Sequence, residues 1–206
     1  MQLPTKKLLA FLLLFIAQGY AQELILSSKP IIEAKGGYFF FTNAKMSKVY
    51  DKGGWDIQLS SSIPVWKPLK RMNLNVYGSI EFLRCSGSSI EEGYKTYVWE
   101  FPINIGLKPV FLLTQQIQYY LALGPRYFFV RQHNSSPYVD SHKSRNGIGL
   151  FVNTGFNFIL CKHLAIDLFG EYSYAKTHFH TSLSSVYTRD IQVGGFTFGG
   201  GLGYSF

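Results

Sequence analysis

The chain has 206 residues, a formal net charge of +8, 16% charged and 17% aromatic residues, and 20 glycines. Its two cysteines, Cys85 and Cys161, are too few for a small secreted fold held together by disulfides. The basic residues are spread over several segments rather than along one helix, which argues against nucleic acid as a partner.

The first element is an export signal. Lys6 and Lys7 precede an unbroken apolar run of nine residues, Leu8 to Ile16, and Gly19 and Ala21 put small residues where a signal peptidase needs them. The expected cut lies between Ala21 and Gln22, giving a signal peptide over 1–21 and one domain over 22–206. A membrane-spanning helix needs roughly 20 apolar residues, so this run is too short to be one. No cysteine lies at the cleavage site, which argues against a lipoprotein. Cleavage removes two lysines and no acid, lowering the formal charge of +8 by two. Further along, the longest apolar candidate, Phe101 to Leu113, is broken by Pro102, Asn104, Lys108 and Pro109.

Eight segments then alternate apolar and polar residues with a period of two, the mark of strands with two unlike faces. The first, 32–41, sets Ile32, Ala34, Tyr38 and Phe40 against Glu33 and Lys35. The second, 55–63, sets Trp55, Ile57 and Leu59 against Asp56, Gln58 and Ser60. The third, 72–82, opposes Leu74, Val76, Ile80 and Phe82 to Asn73, Asn75, Ser79 and Glu81; the fourth, 96–106, opposes Trp99, Phe101 and Ile103 to Glu100 and Asn104. The fifth, 116–130, places Tyr119, Leu121, Leu123 and Tyr127 opposite Gln118, Ala122, Gly124 and Arg126. The sixth, 147–158, carries Ile148, Leu150 and Val152 against glycines and Asn153, and the seventh, 164–174, carries Leu164, Ile166 and Leu168 against Asp167 and Glu171. The eighth, 191–206, ends in strict alternation through Phe196, Phe198, Leu202, Tyr204 and Phe206; Gly194-Gly195 shifts the phase before it and predicts a β-bulge.

The connections alternate in length. Residues 42–54, 83–95, 131–146 and 175–190 are long, whereas 64–71, 107–115 and 159–163 are short. Membrane barrels place long loops outside the cell and short turns in the periplasm, and four long loops against three short turns put both termini in the periplasm. Aromatic residues cluster at both strand ends: Tyr38, Trp55, Tyr97, Trp99, Tyr127 and Tyr172 beside the long loops, Trp66, Tyr119, Tyr204 and Phe206 beside the short turns or the C-terminus. Two such belts mark the two interfaces of a bilayer. The expected fold is an all-β, eight-stranded antiparallel up-and-down transmembrane β-barrel. The alternative is a soluble secreted β-barrel with its apolar face turned inward.

The closing segment FTFGGGLGYSF, with Phe198, Leu202, Tyr204 and the terminal Phe206 on one face, resembles the last strand of bacterial outer-membrane proteins. The whole exported chain resembles the small eight-stranded outer-membrane barrel superfamily, which includes the barrel of outer membrane protein A, outer membrane protein X and the opacity proteins. The resemblance implies an outer-membrane location and reading of the closing strand by the barrel assembly machinery. It implies no chemistry.

A barrel of eight strands is filled by its own side chains. The inward set contains Glu33, Lys35, Asp56, Glu81, Glu100, Arg126, Asp167 and Glu171, six acids against two bases. Unpaired charge inside is costly, so a polar network centred on Lys35 and Arg126 is expected to fix the strand register. The sharper alternative is a narrow gated pore whose gate is an Arg126–acid pair.

Other chemistry has little support. His178 and His180, with His133 or His142 from the neighbouring loop, could meet a metal, but loop histidines are usually only solvated. Ser182 or Ser184, His178 or His180 and Asp190 could form a hydrolytic set in a lipid-modifying enzyme, yet no nucleophile-elbow motif surrounds any serine. Neither a catalytic site nor a cofactor is expected. The long loops are basic, with Lys45, Lys48 and Lys52 in the first and Arg131, His133, His142, Lys143 and Arg145 in the third. The expected role is structural or adhesin-like, for a monomer that meets membrane lipids, lipopolysaccharide and host surface molecules through its loops.

Overall fold

A computed structural model describes residues 29–50, 53–88, 94–134, 142–179 and 189–206. The signal segment and the cleavage pair Ala21 and Gln22 lie outside the described residues, as do Lys52, His180, Ser182 and Ser184; Lys45, His142, Lys143, His178 and Asp190 are described by their backbone alone.

The strands are β1 (Ile31–Phe41), β2 (Gly54–Leu69), β3 (Met72–Ser88), β4 (Lys95–Leu112), β5 (Ile117–Asn134), β6 (His142–Ile159), β7 (Leu164–Phe179), β8 (Arg189–Gln192) and β9 (Gly195–Ser205), with one short helix, α1 (Ala44–Val49), after β1. Neighbours pair antiparallel from β1 to β7, and β9 pairs with both β7 and β1, closing an eight-staved up-and-down barrel. β8 pairs with the outer end of β7 and, with β9, makes one interrupted stave.

Following paired residues once round the wall, from Ala165 through Gly203, Glu33, Ser60, Ser79, Asn104, Arg126 and Gly149, returns to β7 at Ala175. One lap therefore advances the register by ten residues, and this stagger sets the tilt of the staves and the width of the bore.

Three expectations are corrected. The staves are longer than the alternation alone indicates: β3 has 17 residues and β4, β5 and β6 have 18 each, so the short turns shrink to 70–71, 113–116 and 160–163. Arg131 and His133 stand on β5 and Arg145 on β6 rather than in a loop. The bulge at Gly194-Gly195 is absent, because β7 holds one register with β8 and β9 on both sides of those glycines. The phase looked shifted because Val193 points into the bore, where it is fully buried.

The apolar face points outward. Trp55 is 72% and Ile148 74% exposed, and Ile57, Leu59, Ile80, Ile105, Leu150, Leu168 and Leu202 are exposed with them. Large apolar side chains left in water cost about 1.5–3 kcal/mol each, so a belt of this size costs tens of kcal/mol in buffer and none in lipid. The soluble alternative fails on this point. Aromatic pairs edge the belt, Tyr38–Trp55 at 5.7 Å and Tyr172–Phe196 at 4.8 Å toward the long loops, Tyr119–Phe156 at 5.4 Å and Tyr204–Phe206 at 5.3 Å toward the short turns.

Candidate functional site

The bore holds three layers. The lower one, nearest the short turns, is built on the alternation of β1, β4, β5 and β7, which aims Glu33, Lys35, Lys108, Tyr120 and Asp167 inward. Lys35 Nζ lies 2.6 Å from Asp167 Oδ2 and 3.2 Å from Glu33 Oε2. Lys108 Nζ lies 3.1 Å from Glu33 Oε2. The Tyr120 hydroxyl donates to Asp167 at 3.0 Å and accepts from Lys35 at 3.2 Å, and Ser60 donates to Glu33 at 3.0 Å. Aromatic faces complete the cage: Lys108 Nζ stands 4.1 Å from the Tyr120 ring centre, and Lys35 Nζ 5.2 Å from that of Phe169. Two bases meet two acids here, so the layer is electrically balanced. Beneath Lys108, a cavity of about 10 Å³ among Ser62, Asn73, Asn75, Gln118 and Asn157 has room for about one water.

Lys108 is the residue that sequence reasoning missed. The sequence places it in the 107–115 connection, but β4 continues to Leu112, and the buried ammonium supplies a third interior base. The signal was available: Lys108 keeps the inward phase of Glu100 and Asn104, hidden by the prolines of the same segment.

The middle layer gathers around Arg126. Its Nη1 lies 2.7 Å from Glu171 Oε1 and 2.9 Å from Glu81 Oε2. Asn153 donates to Glu171 at 2.8 Å, Asn104 to Glu81 and to Ser79, and Gln58 to Asp56 at 2.8 Å. Glu100 is buried in this layer, its Oε1 without a hydrogen-bond partner, and it makes no ion pair among the described residues. Four carboxyl groups thus share one guanidinium.

The upper layer is apolar. Phe39, Phe41, Leu83, Cys85, Val98, Phe128, Val130, Ala175 and Val193 form one buried cluster at the long-loop end, and Met46, Val49 and Tyr50 from α1 and its C-terminal end pack onto it. Tyr50's hydroxyl bonds Thr96 at 3.0 Å. The chain can fold back so tightly because Gly53 takes a φ of 66°, and because Gly87 has no side chain where a Cβ would meet the Val49 carbonyl at 1.9 Å. The bore is corked from outside.

Cys85 is buried in that cluster and Cys161 is exposed in the 160–163 turn at the other end; both are free. Among the described residues no His, Cys, Asp and Glu group is arranged to hold a metal. Outside the barrel, Phe198, Leu202, Tyr204 and Phe206 are exposed along β9 and its end.

No protein-family model and no curated protein matches the sequence. Solved structures do match in fold. The attachment invasion locus protein Ail of Yersinia pestis aligns over 88% of this chain and 100% of its own, with TM-score 0.53 and 16% identity. Outer membrane protein OprG from Pseudomonas aeruginosa aligns over 87% and 97%, with TM-score 0.58 and 15% identity. The chain has the fold of the small eight-stranded outer-membrane barrels. Neisserial surface protein A matches likewise, over 86% of this chain and 97% of its own, with TM-score 0.55 and 13% identity. A barrel of this fold with an outward apolar belt resides in the outer membrane. In a barrel so oriented, the corked end faces outward and the Lys108 end faces the periplasm.

Proposed function

We propose that this outer-membrane barrel is a structural and surface-recognition protein that works through its extracellular loops, without conducting ions and without a catalytic site. The observation that carries this reading is the filled bore. Among the described residues, two charged layers and an apolar cork occupy the interior, beside a cavity with room for about one water. What can meet another molecule is the outer rim, and its described cations include Lys48 on α1 and Arg145 on β6. A rim of this sign suits a sulfated or phosphorylated polyanion on a host surface. The Ail structure in complex with the heparin analogue sucrose octasulfate, 17% identical with TM-score 0.55, offers a parallel on the same fold.

The wall closes within one chain and leaves no full-length strand edge for a second copy, which supports a monomer. Its partners during biogenesis are the barrel assembly machinery, reading Phe198, Leu202, Tyr204 and Phe206, and afterwards membrane lipids and lipopolysaccharide. The test is binding of a sulfated glycan array to cells displaying the protein, with planar-bilayer recordings in parallel. Salt-sensitive glycan binding and silent bilayers are expected. Discrete conductance steps would favour the gated pore, and altered lipid A in expressing cells would favour the enzyme.

A further inference from the structure

The wall of the barrel is notched at its outer end. β1 and β2 stop at Phe41 and Gly54, and Gly54 pairs with Cys85, but β3 runs on through Ser86, Gly87 and Ser88 with partners on β4 alone. α1 fills this notch. Its six residues are too few for a helix to hold by itself in water. The helix is held to the barrel mainly by one side chain: Tyr50 is 2% exposed, while Met46 and Val49 are only partly buried. The Tyr50 ring lies against Phe41, with ring centres 5.6 Å apart, in a cup formed by Phe39, Phe41, Leu83, Cys85, Val98 and Val130. Its hydroxyl meets Thr96 Oγ1 at 3.0 Å and accepts from Gln132 Nε2 at 3.4 Å. Thr96 gives its own proton to the His133 carbonyl at 3.2 Å, so in the first of these bonds the phenol is the donor.

We infer that this cup is a binding site for a small para-substituted phenol and that α1 is its lid, with Tyr50 seated in the cup as an internal stand-in for the ligand. One acceptor, Thr96 Oγ1, and one donor, Gln132 Nε2, stand on an otherwise apolar surface, and together they read a phenolic hydroxyl in both senses. An arene without that hydroxyl forfeits both hydrogen bonds, which a buried site penalises strongly. Lifting α1 opens the cup sideways through the notch without parting any pair of staves, and Gly53, with its φ of 66°, is the swivel. Beneath the cup, Arg126 and its carboxyl partners fill the bore, so the site is a dead end that holds its ligand rather than passing it on. The inference does not depend on any polyanion bound by the rim.

The test uses the exported chain carrying Cys161→Ser, folded in detergent, with p-cresol and toluene as probes. Folding of each variant is checked by its heat-dependent gel mobility. Tyr50→Ala vacates the cup, and there p-cresol should slow maleimide labelling of Cys85 at concentrations about tenfold or more below those toluene needs, as two hydrogen bonds go with the hydroxyl. Adding Thr96→Val or Gln132→Leu should erase most of that preference. With Tyr50 in place α1 must lift first, so p-cresol should act only at higher concentration, in proportion to how seldom the lid is open. It should then mobilise a spin label attached through Lys48→Cys, and toluene at the same concentration should not. Equal protection by the two probes, a preference that survives both substitutions, or a label that p-cresol leaves immobile or that toluene frees equally would each overturn the site.

Discussion

Lys35 on β1 and Asp167 on β7 lie 2.6 Å apart across the intervening stave, directly over Gly201, which pairs with both of them. A Cβ at Gly201 would meet the Ala34 carbonyl at 2.6 Å and Lys35 Cγ at 2.9 Å. The glycine of the closing strand is therefore what lets a buried ion pair reach over one whole stave. Gly201→Ala should destabilise the barrel by about 1–3 kcal/mol, the usual cost of overpacking. Gly36→Ala on the lipid face, where an added Cβ meets nothing within 4 Å, should be nearly neutral. Urea unfolding in lipid vesicles followed by tryptophan fluorescence measures both.

The two charged layers should differ in how they tolerate loss of a base. Lys108→Met leaves Glu33 with Lys35 and Ser60, and should cost about 3 kcal/mol. Arg126→Met strips the only base from four carboxyl groups and should cost about 5 kcal/mol, the upper end for breaking a buried pair. Adding Glu33→Gln to Lys108→Met should recover part of the loss, because no unpaired charge then remains. Unfolding midpoints of the three variants decide the order, and a milder effect at Arg126 than at Lys108 would contradict this reading of the middle layer.

Cys85 reports on the cork. It is fully buried in one cluster with Phe39, Phe41 and Tyr50, whereas Cys161 is exposed. A maleimide should label Cys161 of the folded protein at once and Cys85 only on opening. Tyr50→Ala should speed labelling of Cys85 about tenfold or more, since the plug then opens at lower free energy. Rapid labelling of Cys85 in the parent would mean an open mouth and would revive the pore.

The cork should also loosen in alkali. Burial holds the Tyr50 phenol above its ordinary value of 10.0. The folded state thus keeps a proton that the unfolded chain gives up above that value, so this contribution is whole below about pH 10 and falls as the pH rises further. Labelling of Cys85 should accelerate above pH 10 in the parent more than in Tyr50→Phe.

Deleting Phe206 should separate assembly from stability. The residue sits exposed at the end of β9, held by its backbone amide to the Pro30 carbonyl at 3.3 Å. Refolding in detergent should change little, while the amount inserted in living cells should drop several-fold. Equal loss in both settings would make Phe206 a structural residue rather than a signal.

The lipid face was legible in the sequence because most alternate residues through the middle of each stave are apolar, and an inward-facing acid could be recognised as the polar exception. Lys108 was lost because Pro109 suggested a turn where β4 continues. The cork was lost for the opposite reason. Phe39 and Phe128 sit between outward apolar neighbours, and a stave that is apolar on both faces gives no period to read. The same holds for Tyr120, beside Tyr119, and for Val193, whose inward turn imitated a phase shift. Contacts across staves, such as Lys108 with Glu33, depend on the ten-residue stagger, which no single segment contains.

Staves of up to 18 residues leaning at about 40° rise roughly 45 Å, while the apolar band of an outer membrane is only about 25 Å tall. The surplus projects beyond the lipid as a stiff collar, carrying Arg131, Arg145 and the cork with it. Whatever the loops touch is held clear of the bilayer by hydrogen-bonded wall rather than by slack chain, so the reach of this protein is set by how far its ladder continues past the lipid.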